Sequence, residues 1–258
     1  MPFIKILGAF GGKSKNMHLT SLQVSNNCVI DAGNLIDPLG DDIKNIDHIF
    51  ISHSHLDHIV DIPFLIDDTF SARDKPLKIY GQEKNLQHLQ KHILNWEIWP
   101  DFSEIPLYQS THKAVEFIPI KLNEPMVFEE FTITAIENNH TPSSNGYIIT
   151  KDDHSILFTS DTYCCDSIWE HVNSDTRISA VIIDVSFPSS FEKLAFDSKH
   201  LTPKLLQDEL KKLKRDDVSI YINHLKPSFK DVVTQEIEEL QLLLNNGSIL
   251  HSGVSIDF

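Results

Sequence analysis

The segment His53-Ser54-His55-Leu56-Asp57-His58 constrains this chain most, because it places four potential metal ligands within six residues. It follows an apolar run at 46–51 that predicts a strand. Two histidines at positions i and i+2 of a strand end can converge on one cation, and the Asp57–His58 pair on the next turn can face a second one. Imidazole nitrogen and carboxylate oxygen suit Zn²⁺, Mn²⁺ or Fe. The bland alternative is a solvated histidine-rich loop, but four ligand types in this order are hard to obtain by chance.

Short runs of β-branched and aliphatic residues, separated by turn signals, predict strands along most of the chain. They lie at 3–7, 19–24, 28–31, 48–52, 78–80, 114–119, 131–136, 147–150, 155–159, 180–184 and 219–222. Amphipathic stretches predict helices at 85–95, 203–214 and 231–244. Two strand-rich stretches, each followed by helix, fit a four-layer αββα sandwich of two sheets with helices outside. Without repeats or a linker, residues 1–258 are expected to form one domain.

Beyond the local chemistry, the chain resembles a known family. His-x-His-x-Asp-His is the hallmark of the metallo-β-lactamase superfamily, and the resemblance extends over nearly the whole chain. Members hold further ligands in a fixed order: a lone histidine, an aspartate after a strand and a late histidine. The resemblance implies two divalent cations, most often Zn²⁺, with Mn²⁺ or Fe as alternatives. It implies three ligands for each cation and one shared aspartate: His53, His55 and His140; Asp57, His58 and His224; and Asp161 between them.

The early aspartate Asp31, in Val29-Ile30-Asp31-Ala32-Gly33, resembles the superfamily's aspartate that steadies a ligand from behind. A residue of an ordinary strand-ending turn is an equally good interpretation of Asp31. The sequence therefore leaves both roles open.

Three local features resemble class II 3′,5′-cyclic-nucleotide phosphodiesterases within that superfamily. Leu56 occupies the middle of the hallmark as it does in that class. The late segment of that class is similar to Asp184-Val185-Ser186-Phe187-Pro188 followed by Ser198-Lys199-His200-Leu201-Thr202-Pro203. Its final ligand motif is similar to Asn223-His224-Leu225-Lys226-Pro227. Asp61 departs from the class, which has a Gly or Ser there, and this weakens the subfamily assignment without touching the metal site.

The resemblance implies a phosphodiesterase that converts cAMP or cGMP to the nucleoside 5′-monophosphate, with a hydroxide bridging two cations as the nucleophile. The leaving O3′ needs a proton, and His200 is the candidate donor, oriented by Asp184. Ribonuclease Z-like relatives have a comparable acidic residue and histidine in this segment. Asp57 counts among the catalytic residues as well as among the ligands. The alternative to the proton-donor role of His200 is that this residue only flanks the helix that begins at Pro203.

The net charge of −15 disfavours nucleic acid as a partner, because the surface repels polyanions. The densest basic group, Lys211 to Arg215, is better interpreted as the solvated face of a helix. A small cyclic nucleotide stays compatible, since bound cations reverse the local field. Three cysteines, with Cys28 in an apolar run, suggest a reducing compartment, and Cys164–Cys165 form a poor metal pair. We expect a cytoplasmic protein without a membrane span, and a homodimer only as a weak default.

Other functions stay open at this point. One is a phosphodiesterase of the same fold that acts on tRNA 3′ ends or on another small cyclic phosphate. The charge and the lack of a basic arm disfavour ribonuclease Z itself. A non-catalytic metal-binding or signalling protein would be expected to have lost ligands. A thiol-ester hydrolase such as a glyoxalase II fits the hallmark but leaves His200 and the segment 223–227 unexplained.

Overall fold

Two β-sheets form the framework of the protein, whose structure, a computed structural model, describes residues 3–257. Their strands follow in chain order: β1 (Ile4–Gly8), β2 (Ser21–Ser25), β3 (Cys28–Ile30), β4 (His48–Phe50), β5 (Leu77–Gly81), β6 (Val115–Pro119), β7 (Pro125–Val127), β8 (Thr132–Glu137), β9 (Asn145–Lys151), β10 (His154–Phe158), β11 (Ile178–Asp184), β12 (Ser219–Asn223) and β13 (Ser255–Ile256). The first sheet has the order β13-β1-β2-β3-β4-β5-β6, and the second β12-β11-β10-β9-β8-β7.

Helices of four to ten residues connect these strands. They are α1 (Ile36–Leu39), α2 (Leu56–Ile59), α3 (Ile62–Thr69), α4 (Glu83–His92), α5 (Asp166–Ser174), α6 (Glu192–Ser198), α7 (Pro203–Leu210) and α8 (Lys230–Glu239). Short 3₁₀ turns occupy Gly40–Asn45, Phe70–Ala72, Ser189–Phe191 and Pro227–Phe229. Within residues 3–257, no helix has the length and apolarity that crossing a bilayer requires.

Three apolar clusters divide the molecule into layers. The middle cluster, which includes Phe50, Tyr147 and Phe158, lies between the inward faces of the two sheets. A second cluster joins the first sheet to α3 and α4, and a third joins the second sheet to α5, α7 and α8. Each sheet therefore buries both faces, one against the other sheet and one against helices. The predicted four-layer αββα sandwich is confirmed.

The basic group from Lys211 to Arg215 differs from its prediction. Helix α7 ends at Leu210, so these residues lie in the turns that follow it and not on a helix face. Arg215 donates to the carbonyls of Val172, Asp175 and Ile178 and pairs with Asp217. Its guanidinium therefore ties the end of α5 to β12, a structural role.

The strand directions bring one set of strand ends to a single edge of the sandwich. In the first sheet β3 and β4 run parallel, and in the second β10, β11 and β12 run parallel. The carboxyl ends of parallel strands meet at the same edge of a sheet, which is where α/β proteins build ligand sites. The hallmark segment directly follows β4, and Asp161, Asp184 and His224 follow or end the strands of the second sheet.

Candidate metal centre

One triplet of histidines gathers where β4 and β8 end. Nε2 of His140 lies 3.3 Å from Nδ1 of His55, and the rings of His53 and His55 are 4.6 Å apart. Nε2 of His53 and Nε2 of His140 lie 3.6 and 3.7 Å from Oδ2 of Asp161. These four side chains place one candidate ligand atom each within 4.8 Å of one another.

A second triplet lies on the other side of Asp161. Nε2 of His58 and Nε2 of His224 are 3.3 Å apart, and they lie 3.3 and 3.1 Å from Oδ1 of Asp161. Oδ2 of Asp57 lies 3.4 Å from Nε2 of His224. Asp57, His58 and His224 again fall within 4.8 Å of one another. The two carboxylate oxygens of Asp161 thus face different triplets.

The donor set fits divalent cations on two observations. Two nitrogens bound about 2.0–2.1 Å from one tetrahedral ion lie about 3.3 Å apart, which is the spacing seen in each triplet. Nε2 of His53 and Oδ1 of Asp161 are buried and have no hydrogen-bond partner within residues 3–257. Buried polar atoms without partners are costly, so both atoms fit a role as metal ligands.

A buried aspartate of the first sheet supports a histidine of each triplet. Oδ2 of Asp31 lies 2.7 Å from Nδ1 of His58 and accepts a hydrogen bond from the hydroxyl of Ser52 at 2.9 Å. Because the Ser52 hydroxyl donates its single proton to Asp31, it accepts a hydrogen bond from Nδ1–H of His53 at 3.0 Å. Both histidines then present Nε2 as an acceptor toward the centre.

An equivalent arrangement in the second sheet holds His200 and His224. Oδ2 of Asp184 lies 2.7 Å from Nδ1 of His200. The hydroxyl of Ser186 donates to Oδ1 of Asp184 at 2.7 Å and lies 3.0 Å from Nδ1 of His224. Burial lowers the pKa of His200, but Asp184 outweighs burial and raises it above the ordinary value.

His200 stands beside both triplets. Its ring centroid is 4.9 Å from that of His140 and 5.2 Å from that of His224. Both hydrogen-bond contacts of its imidazole ring within residues 3–257 use Nδ1, toward Asp184 and Ser186. Nε2 is therefore the nitrogen available to a bound molecule.

Burial keeps most of the clustered histidines neutral, which is the form that binds metal. It lowers the pKa of His53 well below its ordinary value and lowers that of His140 to about 4. Burial also lowers the pKa of His224, against the opposing effect of Asp161. These imidazoles need not lose a proton to accept a cation at neutral pH.

His58 behaves differently because carboxylates face both of its nitrogens. Burial lowers its pKa, but Asp161 and Asp31 outweigh burial and raise it well above the ordinary value. Burial acts to raise the pKa of Asp161, yet His224 and His58 hold it well below its usual range. A cation would take the position that a proton on His58 otherwise occupies.

The backbone is strained around the centre. Asp31, Ser160, Lys199 and His224 all adopt a positive φ between 54° and 65°. Such conformations cost non-glycine residues roughly 1–3 kcal/mol and persist where surrounding structure imposes them. Ser160 and Lys199 directly precede Asp161 and His200, so the strain lies at the residues that aim these side chains.

Every residue that the sequence assigned to the site lies within this cluster. The two predicted triplets and Asp161 come together with the predicted grouping, and Asp184 contacts His200 as expected. Asp31 contacts His58. Sequence reasoning missed Ser52 and Ser186, which join the aspartates to His53 and His224; their signal was only that each lies beside a recognised motif residue.

Comparison with known proteins gives a family match. Residues 13–233 match the model of a family described as "Anti-Pycsar protein Apyc1". This range includes all of the clustered residues.

Three curated relatives share 24% identity with this chain. One is named "Probable 3′,5′-cyclic-nucleotide phosphodiesterase" from Yersinia pestis, aligned over 77% of this chain but only 63% of that protein's own length. Another is the "3′,5′-cyclic-nucleotide phosphodiesterase" of Aliivibrio fischeri, with 81% and 70% covered. The third is a "Ribonuclease Z" of Methanococcus maripaludis, with 76% and 77% covered.

Solved structures share the architecture at low identity. Unliganded yeast PDE1 superposes with a TM-score of 0.79 at 18% identity, covering 98% of this chain and 99% of the other. The metallo-β-lactamase fold protein YhfI of Bacillus subtilis gives 0.74 at 18% identity, covering 97% and 96%. The chain therefore has the metallo-β-lactamase fold, as its sequence predicted.

Proposed function

This chain belongs to the Anti-Pycsar protein Apyc1 family, and on that premise we propose that it is a metal-dependent phosphodiesterase that hydrolyses 3′,5′-cyclic nucleotides such as cAMP and cGMP to nucleoside 5′-monophosphates. The names of two relatives support the substrate class. The observation that carries the proposal is His200, held by Asp184 beside both triplets with Nε2 free.

Two triplets that share Asp161 would hold two divalent cations, with Zn²⁺ the best match to the nitrogen-rich donor set. His53, His55 and His140 would hold one cation, and Asp57, His58 and His224 the other. Bound cations of this kind make a nucleophile from water near neutral pH and offset the negative charge of a phosphodiester. The chain's own contribution is to fix the donor atoms through Asp31 and Ser52.

His200 supplies the proton that the chemistry requires. Attack at phosphorus breaks the bond to O3′, and an alkoxide is a poor leaving group unless it gains a proton as the bond breaks. Nδ1 of His200 is committed to Asp184 at 2.7 Å, which fixes the ring and leaves Nε2–H of the protonated ring to donate. The proton passes from Nε2 to O3′, and the ring is left neutral.

A ribonuclease Z-like activity is the second candidate, because one relative carries that name. The net charge of −15 works against a polynucleotide substrate, and no dense Lys/Arg cluster occurs in the sequence. Processing of pre-tRNA would show a steep loss of rate with salt, whereas hydrolysis of a small cyclic nucleotide displaces few counterions.

The test is metal analysis of the purified protein together with a panel of cAMP, cGMP, bis(p-nitrophenyl) phosphate and a pre-tRNA. We expect about two transition-metal ions per chain and conversion of a cyclic nucleotide to its 5′-monophosphate. Asp161→Asn should lose metal from both triplets and lower kcat/KM by more than about 10²-fold, beyond what supporting residues contribute. Asp153→Asn, which removes an exposed carboxylate, is the matched control. Full activity with one ion per chain would contradict the sharing of Asp161.

A further inference from the structure

Lys226 lies at the edge of the metal centre and has no role so far. It follows the candidate ligand His224 by two residues, in the loop after β12. Its side chain is 23% exposed, and Nζ lies 3.8 Å from Oδ2 of Asp57. Within residues 3–257, it is the one lysine or arginine whose head pairs with a carboxylate of the two triplets.

The ammonium of Lys226 lacks the hydrogen bonds that two other half-buried lysines of this protein make. Lys151 donates to the carbonyls of Phe3 and Val24, and Lys212 donates to Asp166 and Glu209. No hydrogen bond is found for Nζ of Lys226 in the described part of the chain, and 3.8 Å to Asp57 is too long for one. The three N–H donors of this half-buried lysine therefore stay available.

A glycine makes room for this lysine head. A Cβ added to Gly11 would lie 2.7 Å from Nζ of Lys226 and would clash with Cε1 of His224. The loop is fastened at this point, because Gly11 N–H donates to the carbonyl of Leu225 and His224 N–H donates to that of Ala9. The backbone thus leaves one shared space for the imidazole of His224 and the ammonium of Lys226.

We propose that Lys226 binds a non-bridging oxygen of the substrate's phosphodiester group; this inference rests on the proposed function. Nζ of Lys226 meets the carboxylate of Asp57 only at 3.8 Å, so its three N–H donors can serve a second anionic partner. Lysine serves as a point-charge phosphate binder, and negative charge on the phosphoryl oxygens grows as the nucleophile attacks. The contact strengthens in the transition state, so it acts on kcat as well as on KM.

Lys226→Met tests this role against Lys44→Met, which removes the same charge from an exposed 3₁₀ turn away from the centre. We expect Lys226→Met to lower kcat/KM for cAMP and for bis(p-nitrophenyl) phosphate by about 10²–10³-fold, as the loss of one oxyanion donor does. Inorganic phosphate should bind at least about tenfold more weakly by calorimetry, and metal content should be unchanged. Lys226→Ala should regain part of its rate with added ethylammonium. Lys44→Met should match the wild type in all four measurements.

Two results would overturn the role. One is metal loss in Lys226→Met with unchanged phosphate binding, since Lys226 would then only position Asp57. The other is an unchanged rate on both substrates. If Lys226→Met does not fold, the same measurements are made on Lys226→Gln, which keeps a polar head. A wild type that cleaves bis(p-nitrophenyl) phosphate but no cyclic nucleotide would refute the proposed substrate and still leave the phosphate contact testable.

Discussion

The two sheets each contribute a buried aspartate and serine that hold two histidines, yet the two pairs of histidines differ. In the first sheet Asp31 and Ser52 hold His58 and His53, one from each triplet. In the second sheet Asp184 and Ser186 hold His200 and His224, and only His224 belongs to a triplet.

The difference shows how one arrangement can serve two tasks. A carboxylate behind a histidine fixes its tautomer and makes the opposite nitrogen more basic. Where that nitrogen faces other donor atoms, it becomes a ligand. Where it lies beside the triplets and makes no hydrogen bond within residues 3–257, as in His200, it would act as a proton donor under the proposed function. The role thus depends on what lies in front of the ring, because the support behind it is the same.

The largest expected effect comes from removing His200, the one of these four supported histidines that is not in a triplet. His200→Ala should retain its metal but lose about 10²–10⁴-fold in kcat on a cyclic nucleotide, the usual contribution of a general acid. The loss should shrink on bis(p-nitrophenyl) phosphate, because p-nitrophenolate leaves without a proton. Steady-state kinetics on both substrates and metal analysis measure this. Metal loss would make His200 a ligand and erase the contrast between the sheets.

Asp31→Asn should come next, because Asp31 supports a histidine in each triplet. Substitution of a residue behind a metal ligand costs about 10–100-fold in metal affinity, and here both cations should be affected. Competition titration with a chelator measures the two affinities. If only the cation held by His58 were weakened, the link from Asp31 through Ser52 would not orient the imidazole of His53.

Asp184→Asn should weaken metal affinity less than Asp31→Asn does, because only His224 depends on it among the ligands. Its loss of activity should instead follow that of His200→Ala, larger on the cyclic nucleotide than on the p-nitrophenyl ester. The ratio of the two rates is the measurement. Equal losses on both substrates would mean that Asp184 acts through the metal and not through His200.

The smallest effects are expected from the serines. Ser52→Ala and Ser186→Ala each remove the hydroxyl that links an aspartate to a ligand histidine, and the lost bond to that histidine is worth about 1 kcal/mol, or roughly fivefold in affinity. Ser52→Ala should weaken mainly the cation held by His53, and Ser186→Ala mainly the one held by His224. Titration with a spectroscopically visible cation such as Co²⁺ separates the two. Reversed site preferences would contradict the two serine links.

The central strands could be predicted from the sequence because continuous β-branched runs mark strands buried on both faces. The strands β7 and β13 could not, since three and two residues at the sheet edges carry no pattern. Helices such as α2 and α6, with four and seven residues, are too short to show the 3.6-residue apolar repeat of a helix. The predicted helix at 231–244 ends instead at Glu239, and Gln241 with a φ of 53° interrupts it.

The ligands of the hallmark segment could be predicted because their types and order form a motif, whereas His140, Asp161 and His224 followed only from the resemblance to the superfamily. The supporting serines and Lys226 could not, since these residue types are common and their roles depend on packing in three dimensions. Single-domain organisation, homodimerisation and location in the cell stay predictions.

Both triplets draw ligands from both sheets, and this has a consequence for assembly of the protein itself. His53 and His58 follow β4 of one sheet, whereas His140 and His224 follow β8 and β12 of the other. A cation bound at either triplet would therefore link the two sheets at this edge of the sandwich in the manner of a cross-link. The triplets can bind a cation only after the two sheets have packed together. The free energy of cation binding therefore adds to the free energy of folding. Chelation should accordingly lower the melting temperature of the whole sandwich in a single transition, with the sheets separating together.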